Sequence, residues 1–178
     1  MNASNSGLAH GTSGSPQTTI ENGEAERKAV EQKNSFPGGR NREEYSDLAR
    51  DPARGSKVTP GGQKERAVAL DLEQQGKIGH VVRDPQGDKG ADFIDTKTGQ
   101  KWDIKSPVSH PHGHRSPRKG AFNVERMMAN VKKEVSRGNN VILDTRRLTK
   151  ADCQAFKKAI HSEKLDRFVL WYDRKGES

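Results

Sequence analysis

Two carboxylates and an amine lie close together near the middle of the chain: Asp92, Asp103 and Lys105. They sit in a stretch that reads as two short strands and a turn, Ala91-Asp92-Phe93-Ile94-Asp95 and Lys101-Trp102-Asp103-Ile104-Lys105. Such groups on one sheet face are costly unless something uses them. A divalent cation would neutralise the carboxylates, and the amine could then polarise a water or stabilise charge building on a phosphate. The plainer reading is a solvated hairpin whose Asp–Lys pairs are surface salt bridges, which contribute little.

Parity decides which side chains share a face. In a strand, alternate residues point to opposite sides, so Trp102 and Ile104 point one way and Asp103 and Lys105 the other. Thr98-Gly99 supplies a tight turn, because glycine tolerates positive φ. Centred there, antiparallel pairing sets Asp92 opposite Lys105 and Ile94 opposite Asp103. Asp92, Asp103 and Lys105 then share a face, and Phe93, Trp102 and Ile104 the other. A loop one residue longer brings up Asp95 instead of Asp92. The Asp92 register is preferred because it collects the apolar residues together.

Elements on both sides must hold this hairpin. Lys64 to Gln75 reads as a helix that Gly76 stops, with Val68, Ala69 and Leu72 as its apolar stripe. Glu65 falls on that stripe, and a carboxylate on a buried face wants a partner; a first-turn Glu is also favoured by the helix dipole alone. Ile78 to Arg83 is a strand around Val81 and Val82. After the hairpin comes a loop with three prolines, His110, His112 and His114, and the basic residues Arg115, Arg118 and Lys119. Asn123 caps a second helix carrying Val124, Met127, Met128, Val131 and Val135 inward, with Lys132 and Lys133 on other faces. Val141 to Leu143 is a short strand. Thr149-Lys150-Ala151-Asp152 resembles a capping box that opens a third helix, with Phe156, Ala159 and Ile160 inward. Phe168 to Tyr172 is a final strand, apolar enough to be central. Helix, strand, hairpin, helix, strand, helix, strand makes an α/β fold: a mixed β-sheet flanked by helices.

Composition bounds the rest. The chain has 178 residues, 29% hydrophobic and 31% charged, with a net charge of +8. That is too polar for uniform packing, so part of the chain should be disordered. The Gly/Ser/Asn/Thr-rich start to about Thr19 reads as a flexible linker, and residues 1–42 are expected to lie outside a folded domain of residues 43–178. Within that domain's start, Tyr45 and Leu48 are the anchors of a short helix. Residues 1–60 balance acid against base, so the whole positive excess falls after residue 60. A basic globular part is the electrostatic footprint of a nucleic-acid binder. No run approaches a membrane span, and the N-terminus does not read as a signal peptide. The one cysteine, Cys153, excludes an internal disulfide and reads as a small buried hydrophobe.

Asp92, then Asp103-Ile104-Lys105, resembles the D…(D/E)-x-K signature of the PD-(D/E)xK nuclease superfamily, with Ala91 where proline often precedes the first Asp. The run Arg83-Asp84-Pro85, Gly90 to Asp95 and Gly99 to Ser106 resembles the restriction-endonuclease-fold toxin domains of bacterial polymorphic toxins, including the contact-dependent growth inhibition nucleases. The resemblance covers roughly Tyr45 to Asp173. It implies an αβββαβ restriction-endonuclease-like core, and Mg²⁺ or Mn²⁺ held by Asp92, Asp103 and a helix carboxylate. That role carries to Glu65, with Glu73 in reserve. It implies Lys105 acting on the attacking water or the transition state. It also implies cleavage of RNA, tRNA in particular, with DNA equally compatible with the motif. A cognate immunity protein, and delivery from the producing bacterium into the cytoplasm of a neighbour, follow from the same resemblance. Arg115, Arg118, Lys119, Lys132 and Lys133 are the expected phosphate contacts. Two other readings use the same sequence: a nucleic-acid-binding module without catalysis, and a metal-independent ribonuclease using His110, His112 or His114 as general acid and base.

Overall fold

The computed structural model describes residues 36–111 and 119–173. The expected linker before Phe36 lies outside them, as do His112, His114, Arg115 and Arg118.

Helix α1 (Arg42–Asp47) opens on a capping box. The Asn41 side chain accepts from the Glu43 and Glu44 N–H groups, and Glu44 Oε2 accepts from the Asn41 N–H at 2.7 Å. Leu48, one of the two expected anchors, is 2% exposed. Tyr45, the other, stacks on Phe36 with ring centroids 4.7 Å apart. The packed chain therefore reaches upstream of Glu43. Arg40 is buried too: its guanidinium forks onto both Glu73 oxygens at 2.9 and 2.7 Å and donates to Val81 O at 2.8 Å.

Strands β1 (Arg50–Asp51) and β2 (Lys57–Val58) make a small antiparallel ribbon. It leads into helix α2 (Pro60–Gln74), which starts earlier than the sequence suggested. Thr59-Pro60-Gly61-Gly62 reads as loop, yet it forms the cap and first turn. Proline at the first helical position gives up only an N–H that has no helical partner, and Thr59 Oγ1 accepts from the Gly62 N–H at 3.0 Å. A Cβ on Gly62 would lie 2.2 Å from Ala49 O, so glycine lets the helix press against the preceding chain.

The main sheet has 5 strands in the order β3-β4-β5-β6-β7: Val81–Arg83, Phe93–Asp95, Lys101–Lys105, Asn140–Asp144 and Val169–Tyr172. The first two junctions are antiparallel and the last two parallel, so the sheet is mixed. Helices α3 (Val124–Ser136) and α4 (Lys150–Ser162) complete the fold. The Asn123 and Thr149 caps form as expected. The Thr149 box, however, closes through a relay. Asp152 binds the Ser109 hydroxyl, which in turn accepts from the Thr149 N–H.

Alternation divides the core into two layers. Val68, Ala69 and Leu72 of α2 pack with Val81, Phe93, Ile104 and Ile142. On the other side, Met128 and Val131 of α3 and Phe156 and Ile160 of α4 pack with Val141 and Leu143. Val141, Ile142 and Leu143 are all 0% exposed, as a strand covered on both faces requires. Fully burying each such side chain contributes about 1.5–3 kcal/mol. The final strand departs from expectation. β7 is an edge, not a central strand, and its apolar residues are half-buried. Their apolarity serves the flanking layers: Trp171 meets Phe156 edge-on at 5.6 Å, and Tyr172 reaches Asp71 of α2 at 2.7 Å. Cys153 is half-buried rather than buried.

The hairpin register also differs. Phe93 pairs with Trp102 and Ile94 with Lys101, so β4 is slid two residues from the expected pairing. The turn is longer than drawn because Asp95 organises it, with Oδ1 accepting from the Lys97 and Thr98 N–H groups and Gly99 at φ 72°. A slide of two preserves parity, so Phe93, Trp102 and Ile104 still share the α2 face.

Candidate functional site

β5 carries Asp103 and Lys105 toward the α3 layer, since they pair with Val141 and Leu143, whose side chains pack there. β4 stops pairing at Phe93 while β5 runs on to Lys105. In the gap left by the diverging strand, Asp92 stands in for backbone: its Oδ2 accepts from the Ile104 N–H at 2.7 Å. This point lies at the junction of the two helical layers.

From the α2 side comes Glu65, reached through the guanidinium of Arg83. Arg83 Nη1 lies 2.7 Å from Glu65 Oε2, and Nη2 lies 3.5 Å from Asp92 Oδ1. From the α3 side comes Glu134, which is 5% exposed. Lys105 Nζ lies 2.7 Å from Asp103 Oδ2 and 3.9 Å from Glu134 Oε1. Glu134 is fixed in turn by the Asn139 side-chain amide at 3.0 Å. The Lys105 ammonium is the charge partner of Asp103 Oδ2, which has no other polar contact among the described residues.

Burial and neighbouring charges shift the acidities of these groups. Burial, then the neighbouring Glu65 and Asp103 charges, push the Asp92 carboxyl up to about 7, against the pull of the Ile104 N–H and Arg83. Burial first, then Glu134 and Glu65, raise Asp103 against the pull of Lys105. Burial acts to lower Lys105, but the Asp103 carboxylate outweighs it with help from Glu134 and Asp92. Lys105 is therefore held protonated well past neutrality.

Asp92, Asp103 and Lys105 thus adjoin where β4 leaves β5, and Glu65 reaches Asp92 only through Arg83. The alternatives weighed against two of them are engaged elsewhere. Asp95 is a turn staple, accepting from the Gly79, Lys97 and Thr98 N–H groups at 2.8, 2.9 and 3.0 Å. Glu73 is occupied by Arg40 and the Val81 N–H. His110 is exposed. Lys119 is exposed after the histidine loop, and Lys133 on α3. Lys132 pairs with Glu163 at 2.7 Å, half-exposed on both sides.

Arg83 and Glu134 belong to the site but were not assigned to it from sequence. Glu134 had a readable signal. It follows Val131 by three residues and Met127 by seven, so it lies on the apolar stripe of α3, where a carboxylate needs a partner. Arg83 falls on the apolar-facing parity of β3, directly opposite Phe93.

The donor set is all oxygen, which suits a hard divalent cation, and Asp103 Oδ2 is an acceptor with unspent capacity. Among the described residues, no three His, Cys, Asp or Glu side chains are drawn together closely enough to hold a cation as they stand. Arg83 and Lys105 hold them instead. No helix among the described residues is long and apolar enough to cross a membrane. Comparison with protein-family models, with curated proteins and with solved structures finds no match to this chain.

Proposed function

We propose that this chain is a divalent-cation-dependent nuclease that hydrolyses phosphodiester bonds, with Asp92, Asp103, Lys105 and Glu65 as its working residues. The observation that carries the reading is the meeting of Asp92, which holds the Ile104 N–H at 2.7 Å, with Asp103 and the Lys105 ammonium, 2.7 Å apart, where β4 leaves β5. Buried carboxylates crowded to that degree are unfavourable in isolation, and perturbed groups of this kind cluster at functional sites.

Asp92 and Asp103 would hold the cation, with Glu65 as the further carboxylate. When bound, Mg²⁺ or Mn²⁺ supplies Lewis-acid polarisation of a phosphate oxygen and neutralises developing charge. The chain's own groups do the rest. Lys105, kept protonated by Asp103 and Glu134, is a donor and a point charge rather than a base. It orients the attacking water and stabilises the extra negative charge on the phosphoryl oxygens. Water adds to phosphorus as the bond to the leaving ribose oxygen breaks, giving a phosphate monoester and a hydroxyl. Asp92 is anchored by the Ile104 N–H through Oδ2, and its second oxygen faces Arg83 at 3.5 Å.

The basic excess after residue 60 supports a polyanionic substrate. RNA, tRNA in particular, is the substrate we propose on the resemblance to contact-dependent growth inhibition nucleases. A restriction-endonuclease-like core, a cognate immunity protein and delivery to a neighbouring cell rest on the same resemblance. The 5-stranded mixed sheet between two helical layers is compatible with that core. The deciding experiment incubates the full chain with total RNA and plasmid DNA, with Mg²⁺ and with EDTA, beside Lys105→Ala. We expect cleavage in Mg²⁺, none in EDTA, and little from the variant. Cleavage that persists in EDTA would sink this reading in favour of a histidine ribonuclease, and intact nucleic acid under all conditions would leave a binding module.

A further inference from the structure

Arg83 has no part in the chemistry proposed above, yet it stands inside the site. Its guanidinium lies between Glu65, at 2.7 Å, and Asp92, at 3.5 Å. Lys105 meets Asp103 in the same manner. Every carboxylate proposed to take a cation is therefore already facing a cation of the chain itself.

We propose that Arg83 is the resident counter-cation of this site, holding Glu65 and Asp92 together until a divalent cation takes those carboxylates and displaces the guanidinium. The inference rests on the cation-dependent reading and names what that cation must compete with. Three observations carry it. An arginine cannot relieve the competition by losing its proton, so guanidinium and dication must exchange. The hold is incomplete: the Asp92 contact is long, and the buried Arg83 Nε has no hydrogen-bond partner among the described residues. The guanidinium also has somewhere to go. Arg83 borders a cavity of about 450 Å³ on the outer side of β3, which gives a displaced side chain room; its acidic lining residues, Glu44 and Asp47, are themselves engaged by the Asn41 N–H and by Arg50.

The competition makes cation affinity a property of Arg83. Removing the guanidinium leaves Glu65 without its close cation in the free protein, which raises the gain on cation binding. The test is calorimetric titration of Mn²⁺ into the full chain without nucleic acid, for wild type and Arg83→Gln. We expect Arg83→Gln to bind Mn²⁺ tighter by about 10-fold or more, the scale of one lost charge-assisted hydrogen bond. Its melting temperature in EDTA should fall below wild type, and Mn²⁺ should close the gap. Equal or weaker Mn²⁺ binding by Arg83→Gln, with wild type still binding, would overturn the counter-cation role and leave the nuclease reading standing. No Mn²⁺ binding by either protein would overturn both. Should Arg83→Gln fail to fold, the wild type answers alone. Its Arg83 Nε–H resonance, assigned by its loss in Arg83→Lys, must shift when Mg²⁺ is added, and an unmoved resonance refutes displacement.

Discussion

Asp92 Oδ2 accepts a hydrogen bond of 2.7 Å from the backbone N–H of Ile104, the residue between Asp103 and Lys105. One side chain thus stitches the end of β4 to the strand that carries the other two chemical groups. The bond is made where ladder pairing has stopped, so it also satisfies an N–H that β4 no longer reaches. The geometry of the site and the integrity of the sheet share a single contact.

Asp92→Asn and Asp95→Asn should therefore separate chemistry from folding. Asp92→Asn keeps an oxygen acceptor for the Ile104 N–H but loses the charge, so cleavage should disappear with the fold retained. Asp95→Asn weakens the acceptor for two backbone N–H groups at the turn and for that of Gly79 before β3, and should cost about 1–3 kcal/mol of stability. Activity per folded molecule should survive it. Denaturant melts and cleavage rates on both variants check this; a cleaving Asp92→Asn protein would remove Asp92 from the site.

Asp92 also predicts an unusual pH dependence of stability in EDTA. Its ordinary value of 3.8 is pushed up to about 7 in the folded chain, by burial first and then by Glu65 and Asp103. Between those values the native state holds a proton that the unfolded chain has released, so stability falls as pH rises from about 4 to about 7 and then levels. The full displacement corresponds to about 4 kcal/mol. Subtracting the Asp92→Asn melting curve from wild type isolates this term from the carboxylates whose acidity is strengthened. A difference that stays flat from pH 4 to 8 would contradict it.

Much of this was legible in the sequence because it depended on period. Parity along Lys101–Lys105 and the stripes of α2 and α3 follow from side-chain spacing, and a register error of two left the faces unchanged. What stayed hidden depended on long-range ion pairing. Nothing local says that Arg40 crosses to Glu73, or that Arg83 meets Glu65. The turn length was hidden because Asp95 bonds backbone N–H groups that any residue type can supply. β7 misled because its apolar residues cover two helical layers from an edge.

Lys105→Ala should lower cleavage by about 10²–10⁴-fold, the usual worth of a positioned proton-transfer or charge-stabilising group. It also strips Asp103 of its nearest cation, while Glu134 keeps Arg137 at 3.4 Å, so a modest loss of melting temperature should accompany it. Nucleic-acid affinity, measured in EDTA, should stay within a few-fold. A variant cutting at the wild-type rate would sink the assignment.

Binding electrostatics give a separate test of the basic residues. Replacing Arg115, Arg118 and Lys119 with alanine should weaken binding to all sequences alike. The slope of log affinity against log salt should become shallower by roughly 0.7 per lost phosphate contact on single strands. Lys132→Ala should change the slope less, because Lys132 already pairs with Glu163. An unchanged slope in the triple variant would mean that this loop does not touch the backbone.

The N-terminal limit of the fold can be located through Arg40. Deleting residues 1–35 should leave the melting temperature and cleavage unchanged, because among the described residues Phe36 on Tyr45 and Arg40 on Glu73 anchor this edge. Arg40→Met in the full chain should not be so mild. It keeps the bulk but leaves Glu73, 13% exposed, without its guanidinium, and leaves Val81 O without a donor at the outer edge of β3. Breaking a buried pair by removing one partner costs about 3–5 kcal/mol. His80 Nδ1, 3.3 Å from Glu73, supplies part of the lost compensation when protonated, so the lower end is expected. For a domain of this size that is a fall of roughly 6–12 °C in melting temperature. The fall should be smaller in acid, where Glu73 can take a proton once Arg40 no longer holds it charged. A stable Arg40→Met protein, together with an unstable deletion of residues 1–35, would place the anchor of this edge in the deleted segment instead.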